Sequence, residues 1–423
     1  MYIQYDKQVL DNGLTIVGLE RQTHSVCIDI KMNAGSLRDN QYHGLAHAFE
    51  HMLFKGTKTR DFSQISQELE ELGAGYNAGT SLEFIDVYAK LPHRNFTGVF
   101  DIFTDMMFNS LFLQDEWARE KLTIDQEIKR YSDDLFQFTH DNAMLGAFSH
   151  NGSVSKMAHP IIGYIESVAA LTPKELKEFH QKFCVPSNTV ISVVGQVDFD
   201  KFVDDVAVHP LWAADNYALP SAIEGVDIYN QDFSQKSLLK EGSHQSCING
   251  IIPNKGRLED SVDKAALMVL SEILGGGQSS RYFKKIREEH GMAYSVGAIN
   301  QALQQVGHYV FYCLYDTKNR DCIIDIVNKE IQEIRENGVY DHELSIRKNN
   351  IADSVLMQIE DNQNLARLLS KYALWDSLTT MEEEITVVQQ LTNDDIIRAA
   401  NQLVNAFESK PNNKGFLCTV DPA

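Results

Sequence analysis

Residues 171–195 read LTPKELKEFHQKFCVPSNTVISVVG, and this stretch predicts a capped helix that leads into a buried strand. Thr172 is a candidate N-cap, Pro173 suits the first helical position, and Glu175 completes a capping box. The helix is expected to run to about Phe183. The apolar run after it has the composition of a strand that is buried on both faces.

The same pair of elements recurs at the end of the chain. Leu391–Asp395 again predicts a capped helix, and Gly415–Val420 predicts the strand after it. The candidate N-caps Thr172 and Thr392 are 220 residues apart (392 − 172 = 220). The elements before each cap follow the same order, which predicts an α+β protein with two homologous α/β sandwich domains, each an antiparallel-rich sheet packed with helices. The expected boundaries are 1–212 for the first domain, 213–240 for a polar linker and 241–423 for the second domain.

Hydrophobic periodicity and turn residues predict the remaining elements. Strands are expected at 14–19, 26–32, 246–252, 293–302 and 306–315, with a hairpin or two strands over 75–91. Helices are expected at about 44–54, 63–72, 94–109, 115–148, 261–274, 278–289 and 318–336.

The bulk composition disfavours several classes of function. The chain has 423 residues, 43% of them hydrophobic, which is enough for two or three domains with sizeable cores. Its net charge of −21 disfavours binding to nucleic acids or anionic membranes. We expect no secretory signal at the N-terminus and no membrane span. The six cysteines are scattered without a C-x-x-C pair, which is typical of reduced thiols, so we expect a cytoplasmic protein.

The segment His47–His51 has the chemistry of a metal site. His47 and His51 are four residues apart, so a helix places both imidazoles on one face. Glu50 lies beside them, where it could reach a metal-bound water without being a ligand. This is the inverted zincin motif H-x-x-E-H, although a pattern with three fixed positions also arises by chance on ordinary helices.

A catalytic zinc site needs a third protein ligand and an open position for water. The best candidate is Glu127. Glu120 lies seven residues earlier on the same predicted helical face and could orient a ligand imidazole. The alternative is that both carboxylates belong to an ordinary solvated helix face.

The motif is embedded in a longer pattern that resembles the pitrilysin-type (inverzincin) zinc peptidases. That family includes insulin-degrading enzyme and mitochondrial processing peptidase, and the chain is most similar to the two-domain branch around the latter. The resemblance covers nearly the whole chain, and it rests chiefly on the segments Asn33–Asp39, Gly44–Thr57, Gly75–Thr80, Ser280–Phe283 and Gly291–Val296.

The resemblance implies roles for specific residues. Zinc would be held by His47, His51 and Glu127, with Glu50 as the general base and Glu120 in support. In the family, an extended peptide pairs with an edge strand beside the metal, and the main chain of that strand supplies affinity. The residues of that strand would here be Asn77, Ala78, Gly79 and Thr80.

The second half of the chain would contribute an arginine and a tyrosine that hold the substrate carbonyl. Arg287 and Tyr294 match the family's spacing of seven residues. Without the resemblance, Arg287 would be interpreted as a surface charge and Tyr294 as an aromatic at the edge of the core. Single-chain relatives enclose the substrate with four such domains, so a chain with two implies a homodimer, or a heterodimer with a related subunit.

These observations together predict a zinc metalloendopeptidase that hydrolyses short or unfolded peptides inside a dimeric clamshell. A non-catalytic structural or activating subunit of a heteromeric complex is the alternative, although such subunits typically lose motif residues. A peptide-binding chaperone with a structural zinc ion is a third hypothesis. It is disfavoured because structural zinc sites are usually closed by four ligands, often cysteines, and none lies near the motif.

Overall fold

The computed structural model describes residues 5–214, 223–227, 229, 233–256, 261–376, 381–403, 407 and 415–423. Its strands, in chain order, are β1 (Asp6–Val9), β2 (Thr15–Glu20), β3 (Ser25–Met32), β4 (Gly75–Thr80), β5 (Ile85–Pro92), β6 (Ser149–His150), β7 (Ser153–Val154), β8 (Thr189–Gly195), β9 (Ser234–Lys240), β10 (Ser246–Lys255), β11 (Ala293–Ala302), β12 (Val306–Tyr315) and β13 (Phe416–Pro422).

The helices, in chain order, are α1 (Leu45–Leu53), α2 (Phe62–Glu71), α3 (Phe96–Asn109), α4 (Gln114–Asp133), α5 (Leu135–Ala147), α6 (Ile165–Ala170), α7 (Pro173–Phe183), α8 (Phe199–Ala207), α9 (Ser261–Gly275), α10 (Arg320–Asn337), α11 (Asp341–Glu360), α12 (Asn362–Leu374), α13 (Met381–Gln390) and α14 (Asn393–Gln402). A π-helix covers Phe283–Glu289. Within the described residues, no helix is both long enough and apolar enough to span a bilayer.

The first sheet has the strand order β1-β2-β8-β3-β5-β4. Only β2 and β8 pair in parallel, and the other neighbours are antiparallel. Strand β4 lies at one edge, because β5 is its only partner among the strands that the structure describes. The predicted hairpin over 75–91 is therefore confirmed as β4 and β5.

The second sheet repeats this arrangement in the order β9-β13-β10-β12-β11. Its only parallel pair is β9 and β13, and these strands occupy the places that β2 and β8 occupy in the first sheet. The final strand again follows a helix capped by a threonine, since Thr172 and Thr392 both form capping boxes. The predicted α+β class and the repeated order of elements are thus confirmed.

Each sheet is covered on both faces. Alternate residues of β3 and β5, such as Ile30 and Val87, are buried in a core that also contains Phe49 of α1. The residues between them face the opposite way, where α12 packs on β3 and β8. In the second sheet, one face packs on α9 and the other packs on α5.

The chain forms two compact units, and each is assembled from three segments. The first contains the described residues of Met1–Ile128, Pro160–Ile223 and Leu356–Thr380. The second contains those of Lys129–His159, Glu224–Val355 and Met381–Ala423. Each unit therefore includes one helix from the other half of the chain, α12 in the first unit and α5 in the second, because each helix buries the second face of a sheet.

Three sequence expectations need correction. Asp134 is the N-cap of α5, so the helix expected over 115–148 is two helices, α4 and α5. The helix expected over 278–289 is a π-helix in its last seven residues. The predicted linker 213–240 ends in β9, which pairs with β13, while its residues 215–222, 228 and 230–232 lie outside the described part of the chain. The boundaries 1–212 and 241–423 stay predictions.

Candidate metal centre

Helix α1 carries the H-x-x-E-H residues, and its first turn is tightly held. Gly44 is the N-cap in a left-handed conformation with φ 95°, which glycine adopts without steric cost. The carboxylate of Asp39 accepts hydrogen bonds from the backbone nitrogens of Gly44 and Ala46, at 2.7 and 2.8 Å. A carboxylate at this position satisfies amides that have no partner within the helix and favours the positive end of its dipole.

Helix α4 brings the two glutamates to the same place. Trp117, Ile124 and Ile128 are buried and anchor one side of this helix. The indole of Trp117 also donates a hydrogen bond to the carbonyl of Leu171 at 2.9 Å. This packing fixes the rotation of α4, so that Glu120 is oriented toward α1.

The side chains of His47, His51 and Glu127 converge, and their potential ligand atoms all lie within 4.8 Å of one another. Glu127 Oε2 is 3.9 Å from His47 Nε2 and 3.6 Å from His51 Nε2. Nitrogen and oxygen atoms about 2 Å from one tetrahedral ion are roughly 3.3 Å apart. The two separations from Glu127 are therefore within a few tenths of an ångström of that value, and all three ligand atoms lie within 4.8 Å of one another, so a zinc ion fits once the side chains draw closer together. Two imidazoles and one carboxylate are also a donor set typical of catalytic zinc.

Glu120 contacts a candidate ligand, His51, and is not itself one of the three converging residues. Its Oε1 is 2.7 Å from His51 Nδ1, and its Oε2 is 2.5 Å from the ammonium group of Lys55. Although burial alone would raise the pKa of Glu120, these two hydrogen bonds lower it below its ordinary value. A carboxylate bound to Nδ1 leaves Nε2 of His51 to face the centre.

The two histidines differ in their proton affinity. Burial, together with the neighbouring His51, lowers the pKa of His47 to about 3. His47 is therefore a neutral imidazole, which is the form that binds metals. For His51, burial lowers the pKa, but the hydrogen bond to Glu120 and the surrounding carboxylates outweigh burial and raise it. A cation bound between the rings would replace the proton that these carboxylates favour.

Glu50 is held apart from the three candidate ligands. Its Oε2 accepts a hydrogen bond of 2.8 Å from the hydroxyl of Thr80 on β4. Burial raises the pKa of Glu50 above its ordinary value, although the bond from Thr80 and the charge of His51 partly oppose the shift. A carboxylate with a raised pKa, fixed beside a metal centre, has the properties of a general base.

Among the described strands, β4 has no partner on the side away from β5, and it contacts α1. The backbone nitrogen of Ala78 bonds to the side chain of Asn77 at 2.9 Å instead of to a strand carbonyl, so this amide belongs to the free edge. The structure thus places Asn77, Ala78, Gly79 and Thr80 on an edge strand and joins Thr80 to Glu50. Their contact with a peptide stays a prediction.

Arg287 and Tyr294 lie together in the second unit. Arg287 donates a hydrogen bond of 2.8 Å to the carbonyl of Tyr294, and its guanidinium carbon is 4.8 Å from the centre of the Tyr294 ring. Tyr294 as a residue is 75% exposed. Arg287 follows Phe283 in the π-helix, a feature often found at functional sites. The roles of Arg287 and Tyr294 stay predictions.

Sequence reasoning missed two supporting residues. Lys55 lies two residues beyond the end of α1, so only its nearness in sequence to His51 pointed to this position. Asp39 had no comparable signal, because its bonds to the start of α1 depend on the path of the preceding loop.

Comparisons with protein-family models and with known proteins point to the same family. The model described as Insulinase (Peptidase family M16) matches residues 16–160, and the one described as Peptidase M16 inactive domain matches residues 170–351. The uncharacterized zinc protease YmxG of Bacillus subtilis is 26% identical over 397 residues, which are 93% of this chain and 94% of that protein. An uncharacterized zinc protease of Rickettsia felis is 28% identical over 94% of each chain.

Solved structures share the fold. A protease from Helicobacter pylori superimposes with a TM-score of 0.87 at 21% identity, over 99% of this chain and 100% of that one. A structure titled as the peptidase M16 inactive domain from Pseudomonas fluorescens gives a TM-score of 0.88 at 20% identity, over 100% and 98%. At these identities the likeness shows the fold alone. The two family models together match most of the sequence, and this chain therefore belongs to the peptidase M16 (insulinase) family.

Proposed function

We propose that the protein is a zinc metalloendopeptidase that hydrolyses short or unfolded peptides. The observation that carries the proposal is the convergence of His47, His51 and Glu127 within 4.8 Å, with Glu50 fixed beside them by Thr80. The printed names of the Bacillus and Rickettsia relatives, both zinc proteases, support the same conclusion.

The residues divide the chemistry between them. His47, His51 and Glu127 would hold zinc, and Glu120 orients His51 through Nδ1. When bound, zinc acts as a Lewis acid that polarises the scissile carbonyl and makes water more acidic. Glu50 takes the proton from the attacking water at its carboxylate and delivers it to the leaving amine.

The peptide would bind as an added strand on β4. A peptide carbonyl would replace the Asn77 side chain as the acceptor for the amide of Ala78, and this main-chain hydrogen bond would supply affinity without sequence preference. Arg287 and Tyr294 would stabilise the developing oxyanion, a contribution of about 3 kcal/mol per donor in studied enzymes. In a dimeric clamshell these two residues would act on the zinc site of a partner, either a second copy of this chain or a related subunit. We also propose that the protein is cytoplasmic.

A cleavage experiment tests the proposal. Zinc-loaded wild type and the variant Glu50→Gln are incubated with a mixed peptide library, and products are identified by mass spectrometry. Wild type is expected to cut peptides, and the variant, which keeps the three candidate ligands, is expected to be slower by about a thousandfold or more. Equal cleavage by both proteins would exclude Glu50 as the base. Zinc binding without cleavage by wild type alone would favour a subunit that needs a different partner.

A further inference from the structure

The face of the first sheet that packs on α12 carries a row of charged side chains. Gly79, Asp86 and Lys31 are cross-strand neighbours on β4, β5 and β3, so they share this face. Lys31 Nζ is 2.9 Å from Asp86 Oδ2 and 3.3 Å from Asp29 Oδ2. Helix α12 adds Arg367, whose Nε is 2.8 Å from Asp86 Oδ2. All of these residues belong to the first unit.

A cavity of about 450 Å³ opens beside the row. Its lining includes three cations, Lys31, Arg367 and Lys371, and the amides of Gln358 and Asn364, but no carboxylate. We call these five residues the cation pocket. Among the nitrogens of Arg367, only Nε has a hydrogen-bond acceptor within the described part of the chain. The two terminal nitrogens of this guanidinium are therefore available to a ligand.

The cation pocket adjoins the free edge of β4. A Cβ atom placed on Gly79 would lie 3.9 Å from Arg367 Nη2 and 3.2 Å from Asp86 Oδ1. The guanidinium therefore lies against the strand at the one position of Asn77–Thr80 that has no side chain. Glycine at position 79 leaves this approach open.

Strand geometry relates the pocket to the candidate metal centre. The neighbouring residue Thr80 points to the opposite face, where its hydroxyl bonds to Glu50. A peptide that pairs with β4 has the same alternation. One set of its side chains faces α1 and Glu50, and the other set faces Arg367.

We propose that the cation pocket binds a carboxylate of the peptide that pairs with β4, supplied by an acidic side chain or by the peptide's C-terminus. This inference rests on the proposed function, because it assumes that a peptide adds to β4. It assigns the substrate class: peptides with a carboxylate at a position that faces α12.

The chemistry of the pocket favours this ligand. Two parallel N–H groups of a guanidinium match the two oxygens of a carboxylate, and such charge-assisted pairs are stronger than neutral hydrogen bonds. The negative groups of the row are Asp86, which already binds Lys31 and Arg367, and Asp29, whose pKa is raised by burial. Lys31 and Arg367 therefore share the single carboxylate of Asp86.

Binding to a catalytically inactive form tests the inference separately from cleavage. The full chain carrying Glu50→Gln, loaded with zinc, is titrated into three fluorescent peptides while anisotropy is recorded. One peptide has a glutamate and an amidated C-terminus, the second has glutamine and a free C-terminal carboxylate, and the third has glutamine and an amide. The glutamate is then moved stepwise along the sequence.

We expect the better of the two carboxylate peptides to bind about tenfold more tightly than the neutral one. The first peptide reports a side-chain carboxylate and the second a C-terminal one. For the side chain, affinity should alternate with a period of two residues. Adding Arg367→Gln or Lys371→Gln should reduce the preference to about twofold or less. Arg367→Lys should retain part of it. Lys201→Gln, which removes an exposed lysine on α8, should leave it unchanged.

Equal affinity for all three peptides, or a preference that survives both Arg367→Gln and Lys371→Gln, would overturn the inference. Lys371→Gln serves as the second variant because Arg367 also bonds to buried Asp86, and its loss can disturb folding. If the preference is found but wild type cuts no peptide, the peptidase proposal fails and the cation pocket stands. If wild type cuts peptides but binds them without preference, only the cation pocket fails.

Discussion

Among single residues, Glu120 contacts one of the candidate metal ligands, His51. It lies 2.7 Å from His51 Nδ1 and also binds Lys55, so it sets the orientation of one imidazole without contacting the centre. Glu120→Gln should therefore lower zinc affinity by about 10- to 100-fold while the fold is kept. Titration against a competing chelator measures this change, and circular dichroism checks the fold.

Glu116→Gln is the matched control for Glu120. It lies on the same helix and pairs with Arg119, so it should bind zinc as wild type does. Equal loss of affinity in both variants would show that α4, rather than the bond to His51, is responsible. An unchanged affinity in Glu120→Gln would contradict the orienting role.

Asp105 provides a test of pH-dependent stability away from the site. Burial alone would raise its pKa, but hydrogen bonds from Thr57, Thr59, Asn109 and Arg60 lower it below the ordinary value of 3.8. The ionised form is thus favoured by folding. Its contribution to stability is present above pH 3.8 and is lost as the pH falls through the lower folded-state pKa.

Asp105→Asn should accordingly be less stable than wild type at pH 7, because the amide cannot accept the same set of charge-assisted bonds. The difference in unfolding free energy should shrink as the pH falls below about 4. Urea unfolding of both proteins between pH 7 and pH 3 measures it. A difference that stays constant over this range would contradict the assignment.

At the level of secondary structure, local signals identified many of the elements. The helix caps at Thr172 and Thr392 and the hairpin or strand pair over 75–91 were predicted because each depends on neighbouring residues. The sequence did not predict that α5 packs on the sheet of the second unit or that α12 packs on the sheet of the first. Which sheet a helix covers depends on contacts between residues far apart in sequence, and hydrophobic periodicity shows only that a face is buried.

The candidate site likewise combines features that local sequence predicted with features that depend on tertiary packing. Helical spacing placed His47, Glu50 and His51 on one face, Glu127 was the best candidate for a third ligand, and the family resemblance implied that role for it. The bond between Thr80 and Glu50 could not be inferred, because it joins β4 to α1 through tertiary packing. The cation pocket was missed because α12 is distant in sequence from the strands that it covers.

The N-cap of α7 gives a stability prediction for an element. Thr172 accepts a hydrogen bond from the backbone of Lys174 and forms a capping box with Glu175. Thr172→Ala should lower the unfolding free energy by about 1 kcal/mol. Thr172→Ser, which keeps the hydroxyl, should cost much less. Urea midpoints measure both variants, and equal stability of alanine and serine would argue against the cap.

The free edge of β4 gives a prediction for peptide binding. Because the amide of Ala78 bonds to Asn77 and not to β5, Ala78→Pro removes a donor at the edge without removing a bond of the sheet. We expect KM for peptides to rise about tenfold with little change in kcat. Ala78→Ser keeps the amide and is the control. An unchanged KM in the proline variant would contradict peptide addition at this strand.

For the whole molecule, a dimeric chamber predicts complementation between inactive variants. Glu50→Gln lacks the base but keeps Arg287, and Arg287→Ala lacks the arginine but keeps the base. If the arginine acts on the partner's site, a co-expressed mixture regains activity that neither variant has alone. If each chain uses its own arginine, or if a monomer is active, the mixture stays as inactive as its components.

The central claim is that His47, His51 and Glu127 hold zinc, and metal content measures it most directly. Wild type, Glu50→Gln, His47→Ala and Glu127→Ala are purified in parallel, equilibrated with limiting zinc and examined by native mass spectrometry. We predict one zinc ion per chain in wild type and Glu50→Gln, and almost none in His47→Ala and Glu127→Ala. Equal zinc content in all four proteins, or no zinc in wild type, would contradict the claim.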